Sequence, residues 1–106
     1  MKTIALSLLL TANALALDAN RIADAIYRAE GGAKAKAPYG ILSIPVRDAK
    51  HARQICLNTI KNNHKRWIAA GRPGSFIDFL ADRYCPASVD PVGNRNWKRN
   101  VNALTK

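Results

Sequence analysis

Glu30 is the only glutamate in a chain of 106 residues, and its neighbours give it a specific setting. It closes an amphipathic segment, stands directly before Gly31 and Gly32, and precedes a short loop carrying Pro38, Tyr39, Gly40, Ile41, Leu42 and Ser43. A lone carboxylate where a helix meets a loop is a layout for a general acid of the glycan-cleaving kind, which gives a proton to the oxygen of the bond being broken. Such an acid must keep its proton near neutral pH. The last turn of a helix presents the negative end of the macrodipole, which disfavours a carboxylate and raises its pKa. An ordinary surface glutamate ahead of a glycine stop shows the same local pattern, so the assignment depends on what surrounds Glu30.

Other chemistries find less support. Cys56 and Cys85 form no C-x-x-C pair, and His51 and His64 lack the spacing of paired ligands, so no metal centre and no cofactor are expected. Both histidines read as residues of solvated helix faces. There is no G-x-S-x-G for a serine hydrolase and no phosphate-binding G-x-x-x-x-G-K-[ST]. A second carboxylate to partner Glu30 is also hard to find. Asp48 reads as a helix cap, and Asp78 and Asp82, one turn apart, cap or decorate a helix of their own.

The elements that would position these residues begin after a leader. Lys2, an apolar run from Ile4 to Leu10 and the small-residue stretch ending Ala14-Leu15-Ala16 read as a secretory signal peptide over residues 1–16, too short for the roughly 20 apolar residues of a membrane span. Residues 17–106 then make one small domain, expected to be monomeric and secreted or periplasmic, with no stable membrane span. In that oxidising setting an even cysteine count predicts a Cys56–Cys85 disulfide. On the chain-entropy model such a bridge contributes about 3 kcal/mol. Removing Lys2 lowers the formal charge from +10 to +9, with the basic residues scattered along the chain. Scattered charge of this kind serves either as ordinary solubilising surface or as a face for polyanions, which in this compartment are the wall and membrane headgroups. The compartment favours anionic wall polymers, and no nucleic acid partner is expected.

Helical periodicity accounts for most of the domain. Asp18 or Asn20 caps a first helix that buries Ile22, Ile26 and Ala29 and stops at Gly31-Gly32. Ala33 to Arg47 reads as a loop with at most a short strand or turn. A second helix opens at Asp48 and runs to Gly71, with Ala52, Ile55, Cys56, Thr59, Ile60, Asn63 and Trp67 on one face. Ser75 and Asp78 form a capping box for a third helix that buries Phe76, Phe79, Leu80 and Tyr84 and ends at Cys85-Pro86. A last helix spans Asn94 to Leu104 with Trp97, Val101 and Leu104 inward. Tyr39 and Tyr84 suit a half-wet site as sugar contacts because each joins an apolar ring to a hydroxyl, while Trp67 and Trp97 read as core. Asn63 interrupts an apolar stripe, either lining the cleft or sitting exposed on its helix.

These segments resemble a known family. Ala29-Glu30-Gly31 followed by Tyr39-Gly40-Ile41-Leu42-Ser43-Ile44 is similar to the catalytic glutamate, glycine, aliphatic pair, polar residue and isoleucine of the lysozyme superfamily, most closely its lytic transglycosylase and phage-type muramidase branch. Asp82-Arg83-Tyr84-Cys85-Pro86 and then Asn94 to Val101 resemble the aromatic-proline element and closing helix late in such domains. Ser43 replaces the usual glutamine and Gly31 the usual serine. The resemblance implies an all-α, lysozyme-like domain with a contracted irregular or β lobe and few saccharide subsites. It further implies cleavage of peptidoglycan glycan strands, with Glu30 as the catalytic residue and the Ile41 backbone and Ser43 hydroxyl holding an acetamido group. Without a second carboxylate it implies the transglycosylase route. The rival readings are a cationic wall-binding module in which Glu30 is structural and, further off, a nucleic-acid binder.

Overall fold

A computed structural model of the chain describes residues 17–106. The expected signal peptide, residues 1–16, lies outside the described residues. The domain is all-α. Four helices, α1 (Ala19–Ala29), α2 (Ala49–Ala69), α3 (Phe76–Tyr84) and α4 (Pro91–Leu104), are joined by loops, with no strand among the described residues. The segment between α1 and α2, expected as a contracted lobe, holds no β-structure among the described residues. It consists of two 3-10 turns, Gly32–Lys34 and Pro38–Gly40, and irregular chain to Asp48.

Each helix starts at a side chain that satisfies an otherwise unpaired backbone N–H. Asp18 accepts from the Arg21 amide at 3.1 Å, Asp48 from His51 at 2.8 Å, Ser75 from Asp78 at 3.1 Å and Asp90 from Gly93 at 2.8 Å. The last of these moves the start of α4 upstream of the expected Asn94, because Asp90 followed by Pro91 is itself a cap with a helix-compatible proline in the first turn. Gly31, at φ +109°, ends α1 in a conformation that side chains rarely adopt.

Packing places α1 at the centre. It contacts α2 and α4, and α3 touches those same two helices from the other side. Ala19, Ala23 and Ala25 bring α1 close to its neighbours, and Ile26, Ile60, Leu80, Val101 and Cys56 are fully buried between the helices. Asn94 is buried too, and its carboxamide donates to the Cys85 carbonyl at 2.8 Å and to Asp82 at 3.3 Å, tying the end of α3 to the start of α4.

Two expectations need correction. Cys56 and Cys85 are free thiols, with no disulfide between them. Cys56 is buried in the core and its sulfur accepts a hydrogen bond from the Tyr84 hydroxyl at 3.3 Å, so the position expected to hold a bridge holds a tyrosine contact instead. An even cysteine count and a compartment carry no information about where the two sulfurs point. His64 is only partly solvated. It is half-buried in an aromatic cluster, edge-on to Phe76 at 5.0 Å and beside Trp67 at 5.6 Å, and desolvation followed by the charge of Arg72 pushes its pKa down.

Candidate active site

Glu30 caps the C-terminus of α1, its own N–H donating to the Ile26 carbonyl at 2.9 Å, and its half-buried side chain crosses to α4. There the indole Nε1 of Trp97 donates to Oε1 at 3.2 Å. A relay of contacts continues from that pair. The Trp97 ring stacks on Tyr84 with centroids 5.2 Å apart and planes 21° from parallel, and the Tyr84 hydroxyl reaches Cys56. One residue from each helix thus fixes the orientation of the acid: Cys56 on α2, Tyr84 on α3, Trp97 on α4 and Glu30 at the end of α1. Burial, reinforced by the neighbouring thiol and by Glu30, pushes the Tyr84 phenol far above its ordinary range, and burial pushes Cys56 to about 11, so both stay neutral under the acid.

The lobe supplies the other wall. Gly40 has φ +68°, and a Cβ there would fall 2.7 Å from the Glu30 carboxyl carbon, so the loop backbone lies directly against the acid. That approach requires the Pro38–Gly40 turn, in which Tyr39 itself takes φ +58°, a strained conformation for an aromatic residue. Three contacts hold it there. The Tyr39 ring is buried, it packs on Tyr27 at 5.1 Å, and its hydroxyl accepts from Arg53 at 3.2 Å. Arg53 is anchored in turn by Asp24 at 2.8 Å and by the Asn20 side chain at 3.2 Å.

Between these walls Glu30 opens on a cavity of about 420 Å³, bounded by Gly40 and Leu42 of the lobe, Tyr84 of α3, and Asn96, Trp97 and Asn100 of α4. A second cavity of about 350 Å³ adjoins it, sharing Gly40, Leu42 and Tyr84 and extending to Ser43, Thr59 and Arg83. The two cavities share these walls, Glu30 lines the first of them, and among the described residues no other carboxylate lines either; Asp48 lines a third cavity, which also borders Ile41 and Leu42. Desolvation raises the Glu30 pKa above its ordinary value, and the Trp97 hydrogen bond pulls in the opposite direction. Desolvation prevails, which favours the protonated form an acid catalyst needs.

The residues singled out from sequence separate into two groups. Glu30, Tyr84, Ile41 and Ser43 line the cleft. Tyr39 and Asn63 do not: Tyr39 anchors its turn from within the core, and Asn63 is buried on α2 with its carboxamide donating to the Thr59 carbonyl at 2.8 Å. The Ile41 N–H is used within the turn, donating to the Pro38 carbonyl at 3.3 Å, so of its backbone groups only the carbonyl is left for a ligand. Sequence reading missed Trp97 as the acid's partner, and it missed Asn96, Asn100, Leu42 and Arg83 as wall residues. Asn96 and Asn100 stand one turn apart on α4, a polar spacing visible in the chain, but nothing in the chain shows that this face borders Glu30. Compared with known proteins, the chain matches no family model, no curated protein and no solved structure.

The raised pKa of Glu30 has a consequence for stability. An acid whose folded pKa lies above its unfolded value binds its proton more tightly in the native state, so its stabilising contribution is complete below the unfolded pKa and is lost as pH rises through the folded one. Glu30→Gln keeps the acceptor for Trp97 and abolishes the titration. Its midpoint of thermal unfolding should therefore exceed that of the wild-type protein at pH 7, and the difference should shrink as pH falls through 4.5, the ordinary value for this group. Equal differences at both pH values would show that the Glu30 carboxyl is not desolvated.

Proposed function

We propose that this protein cleaves the glycan strands of peptidoglycan, in the periplasm or outside the cell, as a lytic transglycosylase in which Glu30 serves as both acid and base. The observation that carries this reading is a half-buried, desolvated carboxyl on the wall of an open cavity that no second carboxylate lines among the described residues. Hydrolases commonly supply a second carboxylate to attack the sugar or activate water. A transglycosylase does without one, because the nucleophile belongs to the substrate.

The protonated Glu30 gives its proton to the oxygen joining C1 of N-acetylmuramic acid to N-acetylglucosamine. As the C1–O bond breaks, the acetamido oxygen of the muramic sugar stabilises the positive charge at C1. Glu30, now a carboxylate, takes the proton of the C6 hydroxyl, and O6 closes on C1 to give the 1,6-anhydro sugar. The acid is restored and no water is consumed. Trp97 and the Gly40 backbone restrict the carboxyl's position, as a group that must serve two substrate oxygens in turn requires. The cationic surface concentrates the protein on anionic wall polymer, and no helix among the described residues is long and apolar enough to cross a membrane.

Digestion of purified sacculi by residues 17–106, with products resolved by mass, tests the reading. Anhydro-muropeptides are expected. Reducing-end products instead would make Glu30 the acid of a hydrolase. The charge of the chain favours one other reading, a wall-binding module without catalysis, and sacculus binding without any released product would select it.

The direction of the Trp97 effect gives a finer check. That hydrogen bond lowers the Glu30 pKa, so Trp97→Phe, which keeps a ring to stack on Tyr84 but loses the donor, raises it further. Cleavage requires the protonated acid and falls as pH rises through its pKa. The alkaline limb of the pH–rate profile should move to higher pH in the variant. A limb that stays in place would separate the titration from Glu30.

A further inference from the structure

The two cavities differ chemically. In the Glu30 cavity, Asn96 and Asn100 offer neutral carboxamides. In the adjoining one, Arg83 is the only charged side chain on the wall among the described residues, the rest being backbone, aliphatic groups, the neutral Tyr84 phenol and two hydroxyls. Of those hydroxyls, Thr59 spends its proton on the Ile55 carbonyl at 2.9 Å, while Ser43 is exposed and makes no hydrogen bond among the described residues, which leaves its proton for a ligand. Arg83 is exposed and has no carboxylate partner among the described residues, in contrast to Arg53, which Asp24 and Asn20 tie down. An unpaired guanidinium and a free hydroxyl on the rim of one concave site make a receptor for an oxyanion. The planar fork of arginine matches a carboxylate through two parallel hydrogen bonds.

We propose that Arg83, assisted by Ser43, binds a substrate carboxylate one cavity away from the scissile bond, and so selects glycans bearing acidic substituents over neutral chitin-like ones. This rests on the peptidoglycan-cleaving reading of the cleft and adds the residues that recognise its acidic substituent. The carboxylate comes either from the lactyl ether of muramic acid or from its stem peptide, and both are the same chemistry to a guanidinium. Because Arg83 is the only cation that lines either of these two cavities among the described residues, the anionic sugar lies toward it and the strand is bound in a single direction. The guanidinium also offsets the substrate's negative charge when Glu30 is in its carboxylate form, halfway through the reaction.

Binding tests this independently of turnover. In the Glu30→Gln background, titrations are run with stem-bearing strands, which carry only peptide carboxylates, with amidase-stripped strands, which carry only the lactyl carboxylate, and with stripped strands converted to the neutral methylamide. At least one acidic ligand should bind more tightly than the methylamide, and Arg83→Gln should remove about 10- to 100-fold of that affinity while leaving the methylamide unchanged. Arg83→Lys should recover part of the loss. The acidic ligand that shows the preference identifies the source of the carboxylate. Equal binding of all three ligands, absence of measurable binding, or an Arg83→Gln loss that is the same for the methylamide would overturn the proposal. Circular dichroism of the Arg83 variants confirms the fold, which an exposed side chain is not needed to maintain. Anhydro products from the wild type together with no acidic preference would leave the activity standing and remove the subsite. An Arg83-dependent preference with no products would do the reverse.

Discussion

Glu30→Gln should lower the release of anhydro-muropeptides by about 10²- to 10⁴-fold, the usual range for losing a general acid, while the protein stays folded. Glutamine has nearly the same shape and keeps an oxygen for Trp97 Nε1, so the relay through Trp97, Tyr84 and Cys56 is preserved. It has no proton to transfer. Because the variant retains the geometry of the cleft, its sacculus binding should equal that of the wild type, and the loss should appear in kcat with little change in KM. Activity within a few-fold of wild type would remove Glu30 from the mechanism. An equal loss in binding would mean that the residue holds the cleft together and does no chemistry.

Gly40→Ala should be nearly as damaging, for a different reason. Gly40 sits at φ +68°, where alanine is strained by about 1–2 kcal/mol, and its new Cβ would also fall 2.7 Å from the Glu30 carboxyl carbon. Either the turn or the acid must move, and a displacement of about 1 Å of a catalytic group can cost on the order of 10²-fold in rate. Gly74 separates the two effects. Its φ is +65°, but nothing lies within 4 Å of a Cβ built there. Gly74→Ala should therefore show a similar backbone penalty in thermal unfolding with full activity, while Gly40→Ala should lose both stability and activity. Matching activities in the two variants would mean that the loop does not position the acid.

The starts of three of the four helices and the stop of α1 were legible in the chain, because caps and stops depend on local physics. Asp18, Asp48 and Ser75 cap helices as side chains that accept from backbone donors three residues on, and Gly31 stops α1 because few other residues take its φ. The placement of Glu30 at the end of α1 follows from the same local rules, as does the buried face running through Ala52, Cys56 and Ile60. The Asp90-Pro91 start of α4 was equally local, and was missed only because the apolar periodicity begins later.

Tertiary structure alone decided what surrounds the acid. Trp97 meets Glu30 across 67 residues of chain, and Tyr84 reaches Cys56 across 28, so neither contact leaves a trace in spacing or composition. The same holds for Tyr39, whose hydroxyl looked suited to a wet site and is held by Arg53 inside the fold. A side chain's type states what it can bond to. Which of those bonds form is decided when α1 packs between α2 and α4, because packing sets which groups lose water, and with it the pKa of Glu30.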